Sequence, residues 1–549
     1  MSPGERFLTH SVENQAPPLA PYDAWTSDRP LREAVAREGG AWAEAALAAF
    51  GPVAGGELME LGFAANENKP RLKLFDRYGH RLDEVEFHPA WHQVMRINMA
   101  HGVHAFGWRN EGKPGAHVAR AALSYMAGQM EAGTGCPLTM TYASVPALRH
   151  APELAREWLP RITSLEYDPR VLPAASKKGC TVGMGMTEKQ GGSDVRSNTT
   201  RAARLADGAY EIVGHKWFFS APMCDAWLVL AYAEAGLTCF LMPKVRPDGS
   251  RNAIRIQRLK DKLGDWSNAS SEVEFHGAWA QRVGEEGRGV ATILEMVALT
   301  RLDCMIGSSA LMRQALVQAI HHAQHRRAFG KSLVEQPLMQ NVLADLALES
   351  EAAMALTLRV ARAVDASPRD PGEAALARIA TAIGKYWVCK RCPPMVNEAQ
   401  ECLGGAGYVE ESILPRLYRQ APLNSIWEGS GNIQCLDVLR ALKREPATAQ
   451  ALFAELETAR GGHPALDAEV AALRRELADT DSIEPRARYV TERAALALQA
   501  SLLVRAGDRA VADTFCETRL QNHRGLAFGT MPASAPARAL VDRAAPARG

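Results

Sequence analysis

Gly183-Met-Gly-Met-Thr-Glu-Lys-Gln-Gly-Gly-Ser-Asp-Val195 decides how this 549-residue chain reads, because the hydrophobic period changes around it. Upstream, from about residue 31 to 172, apolar residues recur at three- and four-residue spacing. Amphipathic helices are expected from Leu31 onward, over 91–99 and over 116–131. Downstream, to about residue 280, the pattern shortens to strand length. Arg201-Ala-Ala-Arg-Leu-Ala-Asp-Gly-Ala-Tyr-Glu-Ile-Val213 reads as two strands around an Asp207-Gly208 hairpin turn. Further strands are expected at Trp227-Leu-Val-Leu-Ala-Tyr232, Thr238-Cys-Phe-Leu-Met242 and Ser271-Glu-Val-Glu-Phe275. A small β-domain therefore interrupts a helical chain.

Helical periodicity returns over 292–322, 338–364 and 372–396 in stretches long enough for a packed bundle. After Pro446 lysine disappears and Ala, Arg and Glu dominate, which marks an appended helical domain with helices over 466–478 and 489–506. The Pro-, Ala- and Arg-rich end, 529–549, is expected to be loose. Four domains follow: 1–182 helical, 183–288 β, 289–445 bundle and 446–549 appended.

The composition bounds the function. Hydrophobic residues make up 47% and charged residues 23%, so the chain is globular. Lys+Arg 63 against Asp+Glu 62 excludes a wholly basic surface for nucleic acid. No apolar run approaches the roughly 20 residues of a membrane span, and residues 1–23 lack the apolar stretch of a signal peptide. Ten scattered cysteines fit reduced thiols. A cytoplasmic protein with no membrane partner is expected.

Three segments carry chemistry. In 183–195, adjacent glycines let backbone N–H groups approach an anion, and Thr187 and Ser193 add hydroxyls. On spacing alone, a Gly-rich turn accounts for it equally well. Gly214-His-Lys-Trp-Phe-Phe-Ser220 offers aromatics that could back a planar ring, although ordinary β-core is the simpler reading. Asn424-Ser-Ile-Trp-Glu-Gly-Ser-Gly-Asn-Ile433 sets one carboxylate, Glu428, among apolar neighbours. Such a setting raises a carboxyl pKa and suits a general base; a solvated loop glutamate is the ordinary alternative.

Taken together, these segments resemble the acyl-CoA dehydrogenase family. Thr187 to Asp194 is similar to that family's Thr-Glu-x-x-x-Gly-Ser-Asp flavin loop, and 214–220 to its strand behind the isoalloxazine. His325-Arg-Arg-Ala-Phe-Gly330 resembles its Arg-x-x-Phe-Gly element. Glu401-Cys-Leu-Gly-Gly-Ala-Gly-Tyr408 and Trp427-Glu-Gly-Ser430 resemble its Gly-Gly-x-Gly-Tyr and aromatic-Glu-Gly pair. The run 183–200, Phe87-His-Pro-Ala-Trp-His92 and the extra C-terminal domain narrow the likeness to the AidB branch, linked to alkylation damage.

This resemblance implies a multidomain α+β fold: an N-terminal helical domain, a middle β-barrel or sandwich, and a four-helix bundle with an extra helical domain. It implies FAD as cofactor and no metal. Thr187 would bond the flavin ring and Ser193 the pyrophosphate, within a loop comprising Met184, Gly185, Met186, Glu188, Gly191 and Gly192. Phe218, Phe219 and Ser220 would line the ring. Arg326, with Phe329, would reach a neighbouring subunit's FAD, so a dimer or tetramer is expected. Gly404 and Gly405 would abut the adenosine end, and Ile426, Gly429, Ser430, Gly431 and Asn432 would complete the pocket.

Glu428 matches the family's base, which removes the α-proton of an acyl-CoA thioester while hydride leaves the β-carbon for flavin N5. Its own backbone N–H would help polarise the thioester carbonyl. Arg301 matches an arginine near base and substrate, able to hold Glu428 ionised or to lock it in an unproductive pair. Trp427 stands where Tyr is commoner and adds bulk, which leaves a short or branched acyl-CoA of the isovaleryl type. An electron-transfer flavoprotein or similar acceptor would take the electrons.

The subfamily likeness also raises a stress-response flavoprotein that binds double-stranded DNA through the C-terminal domain, with weak or vestigial dehydrogenation. The near-neutral tail argues against that reading, because non-specific DNA binding depends on clustered cations. Direct flavin-dependent repair of alkylated bases ranks lowest, since nothing resembles a base-flipping pocket. Cys389-x-x-Cys392 reads as structural, and His321, His322 and His325 as a solvated or capping face.

Overall fold

Asp28 accepts the Leu31 N–H at 3.1 Å and so caps the helix Arg29–Arg37, whose Leu31, Ala34 and Val35 turn inward. The computed structural model describes residues 7–479 and 482–546. Helices Pro89–Ala100, Ala116–Met130 and Gly135–Arg149 follow, the last two buried on nearly every side. An antiparallel hairpin, β1 (Arg71–Phe75) and β2 (Arg81–Glu86), lies in the stretch read from sequence as helices and loops. The period-two pattern there is too short and too exposed to stand out from the helices around it. The hairpin is held to the β-domain: Arg81 donates to the Ile256 carbonyl at 2.9 Å, and Asp83 accepts the Ile256 N–H at 2.8 Å.

The β-domain comprises β3 (Val182–Gly185), β4 (Arg201–Arg204), β5 (Tyr210–Ser220), β6 (Ala226–Ala233), β7 (Gly236–Pro243), β8 (Ile254–Leu259) and β9 (Ser270–Val283). The expected hairpin turn is present, with Gly208 at φ +86°. β4 pairs with β5, β5 with β9, β9 with β7, β7 with β6, and β6 returns to β4 through Arg201 and Tyr232. Five strands thus close into a barrel, which removes the open edges a sheet would otherwise expose. β3 adds outside β6, and β8 outside β9. β6 reads Ala-Trp-Leu-Val-Leu-Ala and is buried on both faces, so it shows no alternation.

Helix Gly289–His325, about 55 Å long at 1.5 Å per residue, passes from the barrel through the bundle and is buried on nearly every side through its middle. Against it pack Pro337–Ala366 and Pro371–Glu401, and Gly431–Arg444 lies on the latter. Asp370 caps the second of these by accepting the Gly372 N–H at 2.8 Å. A small hairpin, β10 (Arg327–Ala328) and β11 (Lys331–Ser332), projects beyond the central helix.

Helices Pro446–Glu457 and Ala487–Ala506 lay their apolar faces on the bundle, Pro464–Ala478 packs on Ala487–Ala506, and all three share one continuous core with it. The end of the chain is more ordered than its composition suggests. Ala537–Ala544 is a helix that buries Leu540, Val541 and Ala544, an apolar stripe at one- and four-residue spacing. Residues 547–549 of that expectation lie outside the described residues. No described helix is long and apolar enough to cross a membrane.

Candidate active site

Between barrel and bundle lies a cleft of about 920 Å³. That is towards the upper end of the roughly 300–1,000 Å³ typical of cofactor and ligand sites. The β3 loop forms one wall, with Met184, Met186, Thr187, Gly192 and Ser193 on the lining. Gly192 cannot be replaced there without disturbance, since a Cβ would fall 2.3 Å from Thr187 Oγ1. The N–H groups of Gly192, Ser193 and Asp194 find no acceptor among the described residues, so a row of donors stays available to an anion.

Strand parity sorts the rest of the predicted wall. Phe218 is half-exposed on the cleft and Ser220 lines it too. Phe219 points the other way, fully buried, its ring centroid 4.8 Å from that of Trp227. It is a barrel-core residue, which corrects the sequence expectation. Gly185 likewise faces the core, since a Cβ there would strike the Phe219 ring.

Glu188 needs the same correction. It is fully buried and ion-paired with Lys216 at 2.9 Å, and it accepts the Thr199 and Thr200 N–H groups at 2.7 and 3.2 Å. Burial pushes its carboxyl upward, but the Lys216 ammonium and these donors outweigh burial and bring it down to about 2. The residue fastens the loop to the barrel and leaves the cleft to its neighbours. Gly191, at φ +145°, closes that loop through a bridge to Glu188.

The opposite wall is the turn before Gly431–Arg444, where Ile426, Trp427, Glu428, Gly429 and Ser430 line the cleft. Trp427 Nε1 donates to Asn424 Oδ1 at 2.9 Å, which fixes the indole plane. Glu428 sits at φ +58°, a left-handed conformation that costs a non-glycine residue on the order of 1–3 kcal/mol. Three side chains hold it there through backbone carbonyls. Arg301 Nε and Gln434 Nε2 donate to the Glu428 carbonyl at 3.1 and 3.0 Å. Lys385 Nζ donates to the Trp427 carbonyl at 2.7 Å and also to that of Gly429.

Among the described residues, the Glu428 carboxylate itself accepts only from Thr300 Oγ1, at 2.7 Å. Burial raises its pKa, while the Thr300 hydrogen bond, Lys385 and Arg301 lower it by less. Arg301 is engaged elsewhere: its Nη1 pairs with Asp437 at 2.7 Å, and Arg378 pairs with the same carboxylate at 3.0 Å. Neither arrangement foreseen for Arg301 is therefore adopted in full. It steadies the backbone of Glu428 and leaves the side chain unpaired. The Glu428 N–H finds no protein acceptor among the described residues.

Several predicted residues stand off this cleft. Gly431 packs beside Tyr386, and Asn432 is exposed, its Oδ1 accepting from Arg488 Nε at 2.8 Å. Arg326 donates to the Asn14 carbonyl at 2.6 Å, and Phe329 is 99% exposed at the tip of the β10–β11 hairpin. Gly404 and Gly405 have open space where a side chain would begin.

Thr300, Lys385, Gln434 and Asp437 escaped the sequence reading. Only Lys385 carried a signal, as the sole charge within the helical stretch Ala380–Cys389.

Three family models match the chain: Adaptive response protein AidB N-terminal domain over 14–169, Acyl-CoA dehydrogenase middle domain over 183–278, and Acyl-CoA dehydrogenase C-terminal domain over 287–443. AidB of Escherichia coli (strain K12) is 47% identical over 522 residues, covering 95% of this chain and 96% of that protein. The chain belongs to the acyl-CoA dehydrogenase family, AidB type. An AidB-type chain is thus expected to superpose on other long members, and it does. Caenorhabditis elegans ACDH-11, solved in complex with C11-CoA, matches at TM-score 0.85 and 28% identity over 94% of this chain and 93% of that one. A Bacillus anthracis acyl-CoA dehydrogenase complexed with FAD shares the fold at TM-score 0.64 and 17% identity, covering 79% and 80%.

Proposed function

We propose that this AidB-type chain is an FAD-dependent dehydrogenase of short or branched acyl-CoA thioesters, of the isovaleryl class, with Glu428 as the base. The observation that carries the reading is the state of Glu428: a carboxylate on a cleft wall, raised in pKa by burial, with no ion-pair partner among the described residues and an N–H that none of them accepts. FAD suits the opposite wall, where unpaired N–H groups of Gly192, Ser193 and Asp194 meet the hydroxyls of Thr187 and Ser193 and the Phe218 ring. Bound there, FAD supplies the hydride acceptor.

The chain's own groups do the rest. Glu428 takes the α-proton, and its N–H donates to the thioester carbonyl, where negative charge develops. Thr300 orients the carboxylate. Trp427, fixed by Asn424, shortens the space for the acyl group and favours compact chains. Arg196, Arg440 and Arg444, also on the cleft lining, offer cations for the CoA phosphates. Arg326, Phe329, Gly404 and Gly405 then serve a cofactor held mainly by a second copy, in a dimer or tetramer, and an electron-transfer flavoprotein or similar acceptor reoxidises the protein.

The test is anaerobic bleaching of the purified protein by a panel of acyl-CoAs. Stoichiometric bleaching by a short or branched chain, with a rate that rises with pH through a midpoint above the ordinary glutamate range, is expected. No bleaching of a protein whose flavin dithionite still reduces would overturn the reading. The DNA-binding alternative gains nothing from the C-terminal helices, where Arg474, Arg486, Arg493 and Arg505 are paired with Glu457, Glu476, Glu469 and Glu455.

A further inference from the structure

Lys385 is 1% exposed, in the middle of helix Pro371–Glu401. A buried ammonium normally meets a carboxylate, because an uncompensated buried charge is expensive. Lys385 has none within ion-pair distance among the described residues. Its partners are two backbone carbonyls, those of Trp427 at 2.7 Å and of Gly429. They flank Glu428, the residue in the left-handed conformation. An isolated loop would relax from that conformation; here two carbonyls on either side of one residue are tied to a single nitrogen.

We propose that Lys385 is a positioning residue for the Glu428 base, pinning the carbonyls on either side of it so that its carboxylate and its free N–H face the cleft together. The proposal rests on the assignment of Glu428 as base. Its geometric content is the clamp, which needs no substrate to exist. The same ammonium acts on the base through space. It favours the ionised carboxylate without bonding it, so the base stays basic yet is not held in an ion pair.

Other charged and titratable groups face this centre. Arg301, Asp303 and Cys304 come from the central helix, Cys389 from the helix of Lys385, and Asp437 from Gly431–Arg444. Burial keeps the Cys304 and Cys389 thiols protonated, and Asp437 is held by Arg301 and Arg378. Lys385 is therefore the group whose charge can be removed without breaking an existing ion pair.

Two variants of the full-length flavoprotein separate donor from charge. Lys385→Gln keeps N–H donors and loses the charge, whereas Lys385→Met loses both. The titration of Glu428 is followed by infrared difference spectroscopy, its carboxyl band identified by its loss in Glu428→Gln. Reductive bleaching by acyl-CoA is measured in parallel across pH. In Lys385→Gln the midpoint of the Glu428 band, and the acidic limb of bleaching, are expected to move up by about one pH unit. In Lys385→Met the bleaching rate at saturating acyl-CoA is expected to fall by roughly 100-fold at every pH, the cost of a base displaced by about 1 Å. Acyl-CoA affinity should change far less.

An unshifted Glu428 band in Lys385→Gln, with FAD bound and the fold intact, would overturn the proposal. So would parental bleaching in Lys385→Met. Should Lys385→Met not fold, the Lys385→Gln band still decides. Should no acyl-CoA bleach the parent protein, the dehydrogenase reading fails by itself; the Glu428 band of Lys385→Gln against that of Lys385→Met, two neutral variants that differ in the donors, still tests the clamp, and identical bands would overturn it.

Discussion

Two glutamate–lysine arrangements, one in the barrel and one in the bundle, give opposite results. In the barrel, Lys216 Nζ sits 2.9 Å from Glu188, and the carboxyl is driven down to about 2. In the bundle, Lys385 Nζ is spent on the carbonyls beside Glu428, and the carboxyl stays above its ordinary value. The same two side-chain types make a fastener in one place and a proton acceptor in the other. What differs is whether the ammonium meets the carboxylate or the backbone next to it.

The contrast breaks first at the base. Glu428→Gln preserves shape and removes basicity, so bleaching by acyl-CoA should fall by roughly 10²- to 10⁴-fold, the span of general-base catalysis. FAD should remain bound, as its absorbance will report. In the barrel the equivalent assault is on stability. Lys216→Met leaves Glu188 buried without its countercharge and should cost about 3–5 kcal/mol in urea denaturation.

A proton sharpens the same point. Glu188 is depressed in the folded protein from 4.5 to about 2, so its contribution is complete above the unfolded value and is lost as pH falls from about 4.5 towards 2. That loss amounts to at most about 3 kcal/mol at 1.36 kcal/mol per unit, and it should vanish in Glu188→Gln. Asp437→Asn tests the bundle more gently. It frees Arg301 Nη1 to turn on the Glu428 carboxylate, and the acidic limb of bleaching should move down by up to about 1 pH unit. The exposed pairs set the baseline: Arg474→Gln, which breaks the contact with Glu457, should change stability by less than about 1 kcal/mol.

Which parts of this contrast were legible in the sequence follows from physics. The fold and the two cleft walls were, because Gly192, Ser193, Trp427 and Glu428 lie within two short contiguous segments. Their local order fixes which elements they join. Glu188 and Phe219 sit in those same segments yet face away, and only strand parity and the position of Lys216 decide that. Thr300 bonds the Glu428 carboxylate, Lys385 the carbonyls on either side of it, and Asp437 the Arg301 that steadies its backbone, each from a different helix. No local pattern specifies such a convergence, although a lone charge in the stretch Ala380–Cys389 was a clue. The order of residues 529–546 was hidden for a similar reason: its partners lie hundreds of positions earlier.

Those partners set a timetable. Arg313, on the central helix, holds Asp28 and the Ser27 carbonyl with one side of its guanidinium and the Ala544 carbonyl with another. Arg543 reaches Glu33, Glu351 and Asp508. The segment that bears Arg543 is among the last of these residues to leave the ribosome, and it completes contacts begun by Asp28 and Glu33 near the start. On a translating ribosome, the first helix must wait about five hundred residues for its final contacts.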